Sequence, residues 1–183
     1  QFILAARMNA DFLTHENPDA QSQSGPHRRR LILDTNVVLD LWLFQQPAAP
    51  AALAGLARWD WIASADMRAE LLRVLQYPHL QARLAVARRS ASELLDQYDA
   101  RVRLLAPAPR QPPRCKDADD QKFINLALQQ QADLVSHDRH ILQLKNRLAR
   151  LGVKVWPANT WLAEVGIDPV MKMESAGAIS ASS

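Results

Sequence analysis

The sequence predicts an α/β fold built on a parallel sheet with helices on both faces. Short apolar runs at Leu31–Leu33, Trp59–Ala63 and Asp133–Ser136 alternate with longer stretches whose apolar residues recur at helical spacing. One of these runs leads straight into an acid, Asp34, and another is followed one residue later by Asp138. In open α/β sheets ligands bind beyond the carboxyl ends of the strands, so both acids fall where chemistry is expected. The 183 residues, 48% of them hydrophobic, suffice for one domain with a sizeable core.

Residues 1–30 read as a flexible extension. Thr14 to Gly25 is polar and without periodicity, and Arg28-Arg29-Arg30 closes it, either as a solvated charge run or as an arm for phosphates. The domain then spans 31–165. Leu31–Leu33 is the first strand, followed by a helix from Val37 to Phe44 that Pro47 and Pro50 break; Ala51 to Arg58 can form a second helix. After the second strand, Trp59 to Ala63, Ser64 or Asp66 can cap a helix over Met67 to Tyr77, which Pro78 stops. Its apolar positions are Met67, Leu71, Val74 and Leu75, and Glu70 borders that stripe, where an unpaired acid is costly if buried. Residues 80 to 100 predict one long helix, and Arg101 to Leu105 a short third strand. Prolines 107, 109, 112 and 113 make a stiff connection. A helix from about Ala118 to Gln131 carries the stripe Phe123, Ile124, Ala127 and Leu128, with Asp120 just before it. The fourth strand, Asp133–Ser136, ends at His137-Asp138, and a helix follows from Arg139 to Arg150. Gly152 closes that helix, Val153 to Trp156 is the fifth strand, and Asn159 to Glu164 gives a last helical turn or two. Residues 166–183 read as a flexible Ala/Ser/Gly tail.

Several classes are excluded or disfavoured. No run approaches the roughly 18 apolar residues of a membrane span, and Phe2 to Ala6 is too short for a signal-peptide core. A single cysteine, Cys115, rules out an internal disulfide framework and reads as structural. The absence of a Gly-rich phosphate loop disfavours an NTPase. The expectation is a soluble cytoplasmic protein. A formal charge of +3 and a pI near 9.4 permit nucleic acid as a partner without demanding it.

The candidate site is Asp34, Glu70, Asp120 and Asp138. Asp34 and Asp138 follow strands directly; Glu70 and Asp120 lie on the helices after strands two and three, so a parallel sheet can bring all four above one edge. Gathered carboxylates repel one another and hold protons unless a cation sits between them, and oxygen-only ligands favour Mg²⁺ or Mn²⁺. Such ions activate water and stabilise in-line displacement at phosphorus. Each acid also has a bland reading. Asp34 could serve a turn, Glu70 could be a surface acid or pair with Arg73, Asp117 could cap the helix that follows with Asp119 and Asp120 favoured by its dipole, and Asp138 could cap its own. The conjunction is what carries the metal-site reading.

Asp34-Thr35-Asn36, the Glu70 helix, Asp120-x-x-Phe123-Ile124-x-x-Ala127 and Ser136-His137-Asp138-Arg139 resemble, in this order, the motifs of the PIN-domain family. Cys115-Lys116-Asp117-x-x-Asp120 and the helix after it resemble more closely the VapC-like branch, the toxins of toxin–antitoxin pairs. The resemblance covers about residues 31 to 160. It implies a three-layer α/β/α fold with a central five-stranded parallel sheet and a Mg²⁺- or Mn²⁺-dependent ribonuclease, often inhibited by a small antitoxin. It also implies that Asp34, Glu70, Asp120 and Asp138 are metal-site acids, Asp117 a further one, and Asn36 and Ser136 supporting polar groups. His137 departs from the Gly or Asn often found there, which alters the pocket rim.

A rim of Arg28 to Arg30, Arg68, Arg73, Arg139 and Arg147, with Arg73 and Arg139 foremost, would supply salt-sensitive attraction to an RNA backbone. His137 and His140, with no cysteine or third histidine nearby, make a poor zinc pair. Trp59 and Trp61 read as strand packing rather than base-stacking platforms. The Leu-rich helices could also form a homodimer surface. The expected reaction is hydrolysis leaving 5′-phosphates. Two rivals stand beside it: a structure-selective DNA nuclease, for which the chain looks short of helical elements, and a regulatory module that holds metal or nucleic acid without turnover. A receiver domain would want an adjacent acid pair at the first strand, where Asp34 stands alone.

Overall fold

The computed structural model describes residues 28–44 and 49–165; the expectations for residues 1–27, for Pro47 and for the tail from 166 lie outside them. Five strands, β1 (Arg30–Leu33), β2 (Asp60–Ser64), β3 (Arg103–Leu105), β4 (Asp133–Ser136) and β5 (Val155–Pro157), form one sheet in the order β3-β2-β1-β4-β5. Every pairing is parallel, with Leu31 opposite Trp61 on one side and Asp133 on the other. Leu31 to Leu33 and all of β4 are buried, as central strands covered on both faces require. The edge strand β3 is largely exposed.

The helices are α1 (Thr35–Trp42), α2 (Ala49–Gly55), α3 (Ala65–Leu75), α4 (Pro78–Val86), α5 (Ala91–Asp99), α6 (Gln121–Gln130), α7 (Arg139–Gln143), α8 (Lys145–Ala149) and α9 (Ala158–Val165). The chain steps from β1 through β2 to β3, crosses back to β4, then continues outward to β5. With right-handed crossovers, that reversal puts α1 to α5 on one face and α6 to α8 on the other. It also opens a crevice between the carboxyl ends of β1 and β4, the switch point where such sheets bind ligands. The core includes an aromatic cluster, with Trp61 5.5 Å from Trp42 and 5.3 Å from Tyr98 between ring centroids, so Trp61 packs as a strand residue.

The structure corrects several element boundaries. The single helix expected over 80–100 is two. The chain turns at Arg88 (φ 52°), and α5 restarts on a reciprocal cap: Ser90 Oγ accepts the Glu93 N–H at 3.1 Å, and the Glu93 carboxylate accepts the Ser90 N–H at 2.6 Å. Pro78 ends the run from α3 but also opens α4, where its missing N–H costs nothing. The helix expected over 139–150 divides at Leu144, and α6 begins at Gln121 rather than near Ala118. Gly152 stands at φ 84°, a left-handed conformation that strains any L side chain and so fixes glycine at that turn.

At the amino edge of the sheet acids are paired. Asp60 meets Arg103 and, at 4.0 Å, Arg30; Asp133 accepts from Arg29 at 2.8 Å and from Trp156 Nε1 at 2.9 Å. Among the described residues no helix is long and apolar enough to cross a membrane.

Candidate metal centre

The carboxyl edge is built first by β1 and β4. The Asp34 N–H donates to the Val135 carbonyl at 3.0 Å, so the ladder still holds this residue as the backbone turns into α1. Asp34 is only 3% exposed. Its Oδ2 accepts the Ser136 hydroxyl at 2.6 Å, and Oδ1 accepts the Asn36 N–H at 3.4 Å. Ser136 Oγ in turn accepts the Asp138 N–H at 2.9 Å, so one hydroxyl ties the ends of both strands together. Asp138 does cap α7, its Oδ1 accepting from the backbone of His140 at 2.6 Å and of Ile141 at 3.2 Å. Asn36 is exposed and reaches Asp34 through its backbone N–H.

The remaining acids come from α3 and from the connection before α6. Glu70, half-buried on α3, faces Lys122 on α6: the ammonium lies 2.5 Å from Oε2, an ion contact without hydrogen-bond alignment. Arg73, the ion-pair partner in the bland reading of Glu70, is exposed, and the approach of α6 to α3 brings Lys122 to the carboxylate. Asp120 stands at the N-cap position of α6, not inside the helix, and makes no capping hydrogen bond. Asp117, for which a helix cap and a further metal-site acid are the two sequence readings, does not cap the helix but accepts the Asp119 N–H at 2.9 Å within the loop. Asp117, Asp120 and His140 each bring a ligand atom within 4.8 Å of the others.

Two buried amides hold this loop in place. Gln121 Oε1 accepts the Cys115 N–H at 2.7 Å. Its Nε2 lies 2.8 Å from Asn125 Oδ1 and 3.2 Å from the carbonyls of Gln111 and Pro113. Asn125 Oδ1 also accepts the Gln111 N–H at 3.2 Å. The proline-rich connection has no ladder of its own, so these side chains satisfy its backbone. Cys115 is buried and its thiol is pushed up chiefly by burial, which fits the structural role.

The electrostatics are those of crowded like charges. Burial raises the Asp34 carboxyl; the Ser136 hydroxyl and Asn36 N–H oppose the shift, and the charges of Glu70 and Asp138 add to it. Asp120 is pushed up to about 7, by burial first and then by Asp138, Asp34 and Asp117, with Lys122 pulling the other way. A divalent cation among these oxygens would relieve both effects, and His140 offers a ring nitrogen beside them. The residues present therefore fit such an ion.

Parts of the expected basic rim stand elsewhere. Arg29 and Arg30 are held at the amino end of β1, the opposite end from Asp34, and Arg68 is paired with Asp99 at 2.6 Å. Arg73 and Arg139 are exposed near Glu70 and Asp138 in the chain. The His137 ring meets Asp40 of α1. Sequence reasoning passed over Lys122 and the nearness of His140 to Asp117 and Asp120. Neither has a signal in the spacing, since both contacts are made across elements.

Compared with known proteins, residues 30–140 match the family model described as the PIN domain. No curated protein matches. Among solved structures the chain is similar to one in the crystal structure of VapBC2 from Rickettsia felis bound to a DNA fragment from their promoter. The identity is 15% and the TM-score 0.51, over 70% of this chain and 99% of that chain. At that identity the likeness speaks for the fold.

Proposed function

The chain belongs to the PIN-domain family, and from that premise we propose that it is a Mg²⁺- or Mn²⁺-dependent endoribonuclease, the toxin of a toxin–antitoxin pair. The observation that carries this reading is the gathering of Asp34, Glu70, Asp120 and Asp138 at the β1–β4 switch point, with Asp34 and Asp120 both driven toward their protonated forms by burial first and then by the charges of neighbouring acids. A structural role leaves such repulsion uncompensated; a cation-binding role uses it.

When bound, the divalent ion supplies charge for in-line displacement at phosphorus by water. The chain does the rest. Ser136 fixes the Asp34 carboxylate and, through the Asp138 N–H, the start of α7, so two donor groups keep one geometry. Asp117 and His140 flank Asp120 as further donors. Exposed Arg139 and Arg73 would attract the RNA backbone, which an acidic pocket alone repels. The sequence motifs of the VapC-like branch support RNA as substrate, and the fold shared with a VapBC2 chain supports a small antitoxin as partner.

The test is cleavage of single-stranded RNA in Mn²⁺ or Mg²⁺ by the wild type, Asp34→Asn and Glu70→Gln, with flap DNA assayed in parallel. Metal-dependent cleavage of RNA giving 5′-phosphate ends, lost in both variants while folding is unchanged, is the expected result. Cyclic-phosphate ends would sink the hydrolytic mechanism, and preference for flap DNA would move the substrate to DNA.

A further inference from the structure

We propose that Lys122 is an internal counter-cation of the acid site: it neutralises Glu70 while the site is metal-free, and its ammonium moves into the adjoining groove to meet a substrate phosphate when a divalent ion takes the carboxylate. This rests on the metallonuclease reading above. The ammonium touches Glu70 Oε2 at 2.5 Å, and both side chains are 17% exposed, so the contact is far from a solvated surface pair. Nζ also donates to the Asp119 carbonyl and lies 4.9 Å from the centroid of the Phe123 ring. Among the described residues it is the Lys or Arg that forms an ion pair with one of the four acids, Glu70. Its charge also draws Asp120 down against its neighbours.

A divalent ion on Glu70 and an ammonium on the same carboxylate are like charges and exclude one another. The chain has a place for the displaced group. Glu70, Lys122, Arg73, Asp119 and Asp66 line an open groove of about 290 Å³ next to the acids. Asp66 is already engaged with the Ser64 hydroxyl and the Met67 N–H. The flexible four-carbon stem of lysine lets the ammonium swing while α6 stays fixed. Together with Arg73 it would then offer two cations to one phosphate, so the same residue opposes the metal before loading and attracts the substrate after it.

The experiment compares wild type, Lys122→Met and Lys122→Arg by calorimetric titration with Mn²⁺, with thermal melts to confirm folding. RNA affinity is read by stopped-flow anisotropy before cleavage, in Mn²⁺ and in EDTA. Removing a like charge from beside the ion should tighten Mn²⁺ binding about tenfold in Lys122→Met, with Lys122→Arg close to wild type. The same Met variant should bind RNA several-fold more weakly in Mn²⁺ but equally in EDTA. Equal Mn²⁺ affinity in wild type and Lys122→Met overturns the counter-cation while leaving the metallonuclease reading intact. An RNA loss of equal size in both media overturns the movement. No Mn²⁺ binding by any of the three overturns the metallonuclease reading and this inference with it.

Discussion

The two ends of one sheet treat the same side chain in opposite ways. At the amino end, Asp60 and Asp133 are met by Arg103, Arg30, Arg29 and the Trp156 indole. At the carboxyl end, Asp34, Asp120 and Asp138 face one another, and Lys122 on Glu70 is the lysine in contact. Both ends carry buried carboxylates: Asp133 is 5% exposed and Asp34 is 3% exposed. The difference is therefore in compensation rather than burial. One end is balanced by the chain itself and serves stability; the other is left short of positive charge, which a ligand can supply.

The sharpest way to break this contrast is to swap the losses. Asp34→Asn should lower metal-dependent RNA cleavage by roughly a thousandfold, the scale of removing a preorganised electrostatic group, and should raise the stability of the metal-free protein wherever the buried Asp34 carboxylate is ionised. Asp133→Ala should leave cleavage unchanged and cost about 1–3 kcal/mol in denaturant unfolding, because Arg29 and the Trp156 N–H lose their acceptor. If Asp133→Ala removed activity and Asp34→Asn only stability, the assignment of the two ends would be reversed.

Smaller effects refine the acidic end. Ser136→Ala removes the hydroxyl that joins Asp34 to Asp138 and should weaken Mn²⁺ binding about ten- to a hundredfold by calorimetry. The pH dependence has a definite sign. Asp120 titrates at about 7 in the folded chain against an ordinary value of 3.8, so the folded state holds its proton longer. Metal-free stability should then fall as pH rises from 4 to 7 and level off above, and Asp120→Asn should remove much of that slope in thermal melts. The smallest effect belongs to the rim: Arg73→Gln and Arg139→Gln should each reduce the salt slope of RNA binding by about one. An unchanged slope would remove them from the interface.

The strands were legible because buried parallel strands are short continuous apolar runs, and β1, β2 and β4 have no competing helical period. The places of Asp34 and Asp138 just beyond strands and of Glu70 on the helix after β2 were legible, whereas Asp120, expected on the next helix, stands at its N-cap instead. The break between α4 and α5 had a readable signal in Ser90-x-x-Glu93, overridden by the Ala- and Leu-rich run around it. Lys122 on Glu70 and His140 beside Asp120 had none. Those contacts depend on how α6 approaches α3 and how the loop before α6 meets α7, and neither is a local property of the chain.

The Gln121–Asn125 pair has a consequence for how this site could be silenced. Asp117 and Asp120 are moored to α6 through side-chain amides, whereas Asp34 and Ser136 are moored to the sheet. Release of that mooring would carry two acids away and leave the strands intact, an opening cheaper than unfolding the domain. The loop from 106 to 120 should therefore exchange its amide protons earlier than β1 and β4, and a bound ion should slow that exchange selectively.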